Sequence, residues 1–250
     1  KKREAVRHEY INSYGTTKET AKHNFQKIQD EIFDQQIRNF NDNQDRRAIA
    51  LSTWNPFGHE KVDWFDPEWM FGVKGFDIVI GNPPYVEFKN LAKQVKALLT
   101  GYRTTKGKYD LYIPFLEQPS RLLKKSGILC YICPTRFMHR DYGAEVRKFI
   151  ASNYEIAQIV DFGDRQMFET ATTYTGVFIF KNAVRSDYTF YYANELTRNE
   201  PLSVSSTKLL EGPWYFENES IEGLISSIRE KTRALESISE GILQGIATGK

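Results

Sequence analysis

The stretch Phe76-Asp77-Ile78-Val79-Ile80-Gly81-Asn82-Pro83-Pro84-Tyr85 decides how the rest of the chain is read. Phe76 to Ile80 is a short apolar run of strand length, and Gly-Asn-Pro-Pro breaks it. Two successive prolines fix φ and remove two amide donors, which leaves their carbonyls facing outward. Asn82 precedes a proline, so its backbone is pushed toward an extended conformation. The product is a rigid edge carrying an amide side chain, a proline carbonyl and an aromatic ring. In an open α/β sheet, ligands bind beyond the carboxyl ends of the strands, and this loop lies at one.

Working downstream, Leu91–Leu99 and Tyr112–Leu123 have helical spacing, and Gly127–Ile132 reads as a buried strand ending at Pro134. Asp141–Ala151 is a predicted helix with Tyr142, Val146, Phe149 and Ile150 on one side. Strands follow at Ile156–Phe162, Thr173–Phe180 and Tyr188–Tyr192. Strands alternating with helices imply an α/β fold, a partial doubly wound parallel sheet covered on both faces. Asn218–Glu236 is one more helix, leading into the glycine-bearing tail Gly241–Gly249.

Upstream, residues 18–47 are polar, with Phe25, Ile28 and Ile32 in one stripe and Phe33, Ile37 and Phe40 in a second. This pattern predicts a single amphipathic helix. Residues 51–73 hold Trp54, Phe57, Trp64, Phe65, Trp69, Met70 and Phe71 among Pro, Gly and Asp, and read as an irregular, packed loop. The expected organisation is a helical segment at 1–50, a catalytic-domain segment at 51–195 and a helical linker at 196–250.

The 250 residues suffice to bury a core. With 34 Lys and Arg against 32 Asp and Glu, net +2, bulk charge names no partner, so any nucleic-acid footprint must be local. No apolar run approaches the ~20 residues of a membrane span. Two cysteines make no secreted disulfide framework, so a cytoplasmic location is expected. The start at Lys1-Lys2-Arg3 and the stop at Thr248-Gly249-Lys250 read as those of a fragment.

Several weaker patterns compete for attention. Cys130 and Cys133 form a C-x-x-C, but in a strand a spacing of three sends them to opposite faces, so they read as core cysteines. Gly101–Lys108 fails as a phosphate loop because five residues separate its glycines and Tyr109 stands where Ser or Thr is needed. Asp77 with Glu87-Phe88-Lys89 loosely resembles a metal-dependent nuclease centre, yet a proline-broken loop divides them. His8, His23, His59 and His139 have no ligand-like spacing, so no metal is expected.

The Asn82–Tyr85 loop suits a planar amino-bearing group. An exocyclic adenine or amide nitrogen is a poor nucleophile because its lone pair is delocalised. If the Asn82 side-chain oxygen and the Pro83 carbonyl each accept one N–H bond, the nitrogen is drawn toward a more nucleophilic, tetrahedral form. Tyr85 can stack on the flat face. A Gly-Asn-Pro-Pro turn followed by a buried tyrosine is the competing reading of the same residues.

The wider chain resembles the adenine-N6 DNA methyltransferases of the type IIG restriction–modification kind. Asn82-Pro83-Pro84-Tyr85 is similar to their catalytic motif, and Lys106-Gly107-Lys108-Tyr109-Asp110-Leu111-Tyr112 through Phe115, then Leu122-Leu123-Lys124, resembles the helix segment that follows it. Gly127-Ile128-Leu129 through Pro134 is similar to the next strand, and Phe168 through Phe180 to the later hairpin. Trp64 through Phe71 resembles their lead-in, and Gln244-Gly245-Ile246 the approach to a target-recognition domain.

The resemblance implies S-adenosylmethionine as methyl donor and a flipped adenine in double-stranded DNA as acceptor. It implies that Asn82 and Pro83 bind the amino group, Tyr85 stacks on the base and Phe168 contacts its other side. Pro84 would lie near the cofactor and Phe115 would pack on the cofactor's adenine; core packing is the alternative for Phe115 and Phe168. The basic stretch at residues 88–109, with Lys89, Lys93, Arg103, Lys106 and Lys108, would contact DNA phosphates, or else be a solvated helix face and loop. The chain departs from the family pattern in one respect: Gly15, Gly58, Gly72 and Gly75 are too scattered to form the glycine-rich cofactor loop expected upstream. An upstream cofactor-binding segment and a downstream target-recognition domain are therefore expected elsewhere in the same polypeptide. Two rivals remain at this point: a methyltransferase acting on a protein glutamine amide, and a non-catalytic DNA-binding subunit that kept the fold.

Overall fold

The computed structural model describes residues 2–38, 65–168, 174–194, 200–210, 212–217, 219–233 and 237–238. Two compact units divide the chain, Lys1–Phe76 and Asp77–Lys250. In the first, α1 (Lys2–Ile11) packs on α2 (Gly15–Arg38). The turn between them uses Gly15 at φ 59°, a left-handed conformation that costs glycine nothing. Ala21, Phe25 and Gln29 form the buried face of α2 at a spacing of four. The helix predicted at 18–47 thus begins three residues earlier and is described through Arg38; 39–47, with Phe40, lie outside the described residues. α1 lies in the segment expected to be helical but is not singled out as a separate helix, because KREAVRHEYI offers too few apolar residues to show a period.

Residues 51–64, with Trp54, Phe57 and Trp64, also lie outside the described residues. The irregular loop expected through residue 73 contains a short helix, α3 (Pro67–Phe71). Pro67 is preorganised for the first helical position. Gly72 closes the helix at φ 69°, its N–H reaching the Glu68 carbonyl at 2.9 Å. The rings of Phe65, Phe71 and Phe76 cluster at centroid distances of 6.0–6.4 Å.

The second unit is built on β1 (Phe76–Gly81), α4 (Lys93–Leu98), α5 (Tyr112–Glu117), α6 (Pro119–Leu122), β2 (Leu123–Pro134), α7 (Ala144–Asn153), β3 (Glu155–Asp161), β4 (Thr175–Lys181), β5 (Thr189–Ala193), β6 (Leu202–Ser205) and α8 (Glu219–Lys231). The strands form one six-stranded sheet in the order β1-β2-β4-β3-β5-β6. β4 is antiparallel to both β2 and β3, from Ile128↔Lys181 to Pro134↔Thr175 on one side and from Glu155↔Lys181 to Asp161↔Gly176 on the other. β3 and β5 are parallel, and β6 is antiparallel to β5.

The α/β architecture follows the sequence pattern, but the sheet is mixed where a parallel one was expected. The reason lies in the sequence itself: after Phe162 the helical period stops, and β4 and β5 are joined by only seven residues. A parallel crossover needs a dozen or more residues, usually including a helix. β1 runs with β2, because Asp77 near its start pairs with Lys124 near the start of β2 at 2.8 Å, and Gly81 at its end lies beside the Tyr131 ring. The carboxyl ends of β1, β2, β3 and β5 therefore share one end of the sheet, together with the start of β4.

The core lies between the sheet and α5 and α7. Tyr112, Ile113 and Leu116 of α5, Val146 and Ile150 of α7, Leu129 and Cys133 of β2, and Phe178 and Phe180 of β4 are fully buried. The sheet unit also draws in residues beyond 195: Trp214 and Phe216 are buried, with Trp214 donating Nε1–H to the Leu209 carbonyl at 3.1 Å. Arg147 is buried as well and donates to the carbonyls of Phe137 (2.6 Å), Arg140 (2.8 Å) and Gly212 (3.0 Å).

Gly143 enters α7 so close to the chain that a Cβ would sit 1.9 Å from the Phe137 carbonyl oxygen. Gly143→Ala therefore should lower unfolding free energy by about 2–3 kcal/mol, read as a shifted denaturant midpoint at unchanged slope.

Candidate active site

The Asn82–Tyr85 loop leaves β1 at the carboxyl end of the sheet and is held from two sides. The Tyr85 hydroxyl donates to the Ile132 carbonyl of β2 at 3.2 Å, and the Leu111 N–H donates to the Val86 carbonyl at 2.8 Å. The Phe88 ring meets the Tyr109 ring edge-on at 5.2 Å. The segments Asn82–Phe88 and Tyr109–Tyr112, which the sequence separates by twenty residues, thus form one braced surface. Gly81 packs closely where the strand ends, since a Cβ there would stand 3.2 Å from Tyr131 Cε1 and the ring would have to give by a few tenths of an ångström.

Within the loop, Pro83 is buried while Asn82 and Pro84 are exposed. The Asn82 amide makes no hydrogen bond with the described residues, so its oxygen and nitrogen are open to a ligand. Phe168 lies against Tyr85 edge-on, ring centroids 6.2 Å apart at 71°. The two aromatics named for opposite sides of one planar group are therefore in edge-on contact, although 82 residues separate them. Burial, with a smaller contribution from Cys133, pushes the Tyr85 phenol up to about 12. It is a donor and a stacking surface at ordinary pH, not a base.

Phe115 sits on α5 with 39 % of its surface exposed, although Pro114 and Leu116 on either side are buried. An open aromatic face on an otherwise buried helix is available to a planar ligand. Behind this region, Glu117 accepts both the N–H and the hydroxyl of Thr104 at 3.0 Å and pairs with Arg121. That clasp fixes the loop at 101–108, whose glycine spacing does not suit a phosphate loop.

The basic stretch divides. Lys89 pairs with Glu87 at 2.7 Å and Lys106 with Glu145 at 2.6 Å. Lys93, Arg103 and Lys108 are exposed and form no ion pair among the described residues. Nothing in the local pattern marks Glu145 as a partner, because α7 meets Lys106 only in the fold. The other patterns resolve simply. Cys133 is buried, its thiol pushed far up by burial, while Cys130 lies on the half-exposed face. Asp77 is engaged by Lys124 and Glu87 by Lys89. Among the described residues, no group of three or more His, Cys, Asp or Glu could hold a metal, and no helix is long and apolar enough to cross a membrane.

A loop of this composition at the carboxyl end of an α/β sheet is a candidate ligand-binding edge, and comparison with known proteins gives the chain's class. Residues 1–168 match the family described as Eco57I restriction-modification methylase, and the chain belongs to that family. It is 29 % identical over 223 residues to the type II restriction enzyme and methyltransferase RM.Eco57I of Escherichia coli, covering 80 % of this chain and 22 % of the relative. It is 32 % identical to the type II methyltransferase M.BstVI of Geobacillus stearothermophilus, covering 53 % and 27 %. The chain thus spans roughly a quarter of these relatives. Among solved structures, the methyltransferase subunit of a type I restriction-modification system from Streptococcus thermophilus superimposes with a TM-score of 0.39 at 16 % identity, over 64 % of this chain and 33 % of that one. The type IIL restriction-modification enzyme MmeI in complex with DNA gives 0.41 at 16 % identity, over 51 % and 18 %.

Tyr85→Phe keeps the ring and removes the bond to Ile132, so it should cost about 1 kcal/mol at neutral pH. The wild-type phenol ionises less readily when folded than when unfolded. Stability tied to it is complete below pH ~10 and is lost as pH rises toward 12. The variant should lose less stability than wild type over that window, as read by denaturant titration at stepped pH.

Proposed function

We propose that this chain carries the amino-group-binding half of a DNA methyltransferase that transfers a methyl group from S-adenosylmethionine to adenine N6, within a restriction–modification enzyme. The observation that carries the reading is the Asn82–Tyr85 loop itself: an unengaged amide, a buried proline and a braced tyrosine facing Phe168, in a member of a methylase family. The Asn82 side-chain oxygen and the Pro83 carbonyl accept the two N–H bonds of the exocyclic nitrogen and localise its lone pair for attack. The ring of Tyr85 stacks on the base, and Phe168, which rests edge-on against Tyr85, swings aside to close the other side. The amino nitrogen becomes acidic once alkylated, so its proton leaves to water and no strong base is needed.

The exposed Pro84 and the open face of Phe115 fit a cofactor with a planar purine, and these residues would hold part of it; when bound it supplies an electrophilic methyl group. The rest of that site we assign to an upstream segment of the same polypeptide, because residues 1–75 hold no glycine-rich loop. Ile78 and Ile80 on β1 support this, with 64 % and 78 % of their surfaces exposed on a strand at the sheet's edge. A downstream target-recognition domain would select the sequence. Lys93, Arg103 and Lys108 are then available to DNA phosphates, while Lys89 and Lys106 would have to exchange a carboxylate for one.

The test is labelled methyl transfer by the full-length polypeptide offered unmethylated DNA and protein separately. Wild type should label adenine in DNA, and Asn82→Ala should abolish transfer while DNA binding persists. Retained activity would sink the role of Asn82, and label in protein would move the substrate to a glutamine amide.

A further inference from the structure

A cavity of about 510 Å³ opens at the same end of the sheet, between the turn Thr135–Met138 that follows β2, the turn that follows β3, and Tyr215. That volume lies within the ~300–1,000 Å³ of ordinary small-ligand sites. One wall carries Arg136 and Arg140, a helical turn apart, both exposed and neither in an ion pair among the described residues. The facing wall carries Asp161 and Asp164. Asp161 is occupied: it accepts the Gly163 N–H at 2.9 Å and the Tyr192 hydroxyl at 3.4 Å. Asp164 is exposed and makes no hydrogen bond with the described residues. Between the walls, the His139 and Tyr215 rings stack 4.6 Å apart at 21°, and 61 % of Tyr215 faces solvent.

The chemistry is amphoteric. Two guanidiniums without carboxylate partners suit a phosphodiester. A free carboxylate opposite them repels a bare or doubly charged phosphate but accepts ring N–H donors. An exposed aromatic on a stacked pair suits a base. The arginine wall is rigid, since Arg147 holds the carbonyls of Phe137 and Arg140, and the Trp214 N–H holds that of Met138 at 2.7 Å. It also borders the Asn82 loop: the Glu87 carboxyl is held low chiefly by Lys89 and in small part by Arg136.

We propose that this cavity seats one nucleotide of the DNA strand beside the target adenine, its phosphate on Arg136 and Arg140, its base on Tyr215 with N–H donors toward Asp164. This rests on the DNA reading above and assigns a DNA subsite to residues outside the Asn82 loop and the basic stretch.

The experiment is fluorescence anisotropy of a labelled duplex bound by the full-length polypeptide across a salt series. Arg136→Ala/Arg140→Ala should weaken binding on the order of tenfold or more and reduce the slope of log affinity against log salt by about 2. Arg136→Lys/Arg140→Lys should recover most of the slope, and thermal unfolding should match wild type for both, since neither arginine is buried. Abasic substitution beside the target should weaken wild type, and Tyr215→Ala should erase that difference. Wild type binding DNA with the Ala pair unchanged in affinity and slope would overturn the subsite and leave the DNA reading standing. Lost slope without any dependence on the neighbouring base would overturn the base-stacking half. No DNA binding by wild type would overturn both.

Discussion

The hydrogen bond from the Tyr85 hydroxyl to the Ile132 carbonyl is the constraint on which the candidate site depends. A loop with two prolines cannot satisfy itself through a sheet ladder, because its N–H donors are gone. It must be fastened by side chains, and Tyr85 does this by reaching the strand next to its own. The same contact aims the Tyr85 ring at Phe168 and leaves the Asn82 amide unengaged. Leu111 completes the fastening at Val86. A ligand-binding edge made this way is rigid before a ligand arrives, so little ordering cost falls on binding.

What was legible in the sequence was whatever repeats or breaks locally. The apolar run at 76–80 with its proline break gave the strand and the loop. The helical period gave α2 and α7, and the separation of Cys130 from Cys133 followed from strand geometry alone. What lies beyond local pattern is set by contacts distant in sequence. The direction of β4 is set by connection lengths and by pairing across the sheet, which no period records. α1 and β6 are short or polar, so burial decides them. Trp214 sits in a proline- and glycine-bearing stretch that looks like a linker, yet it packs edge-on against Phe137, centroids 6.0 Å apart.

The site shows the same division. Residues adjacent in sequence, Asn82 through Tyr85, could be named together. Phe168 could be named only by resemblance, and nothing in the chain's periodicity brings it to Tyr85. The charge pattern was the least informative. Residues 88–109 contain no acid, which reads as an open basic stretch, but Glu87 precedes it by one residue and Glu145 arrives from α7. Exposed pairs of that kind contribute little to stability, with a median of about 0–1 kcal/mol. Their consequence is electrostatic: they engage two of the five named cations, Lys89 and Lys106, and leave Lys93, Arg103 and Lys108.

Arg147 shows how the far side of the sheet's carboxyl end is built. Burying a guanidinium costs several kcal/mol unless its donors are met. Here three turn carbonyls meet them, those of Phe137, Arg140 and Gly212, and the Arg140 oxygen also accepts the Gly143 N–H at 3.0 Å. Burial lowers the guanidinium's affinity for its proton, but from a value so high that it stays charged. The result is a fixed positive charge beneath the turn that carries Arg136 and Arg140. Its influence is visible at His139, whose imidazole is held below its usual range first by burial, with Arg147 and Arg140 adding to the effect against the pull of Asp161. A neutral imidazole stacks on Tyr215 without a charge to desolvate. One buried arginine thus fixes the shape of the turn and adds positive potential above it, while burial does most to keep its aromatic neighbour uncharged.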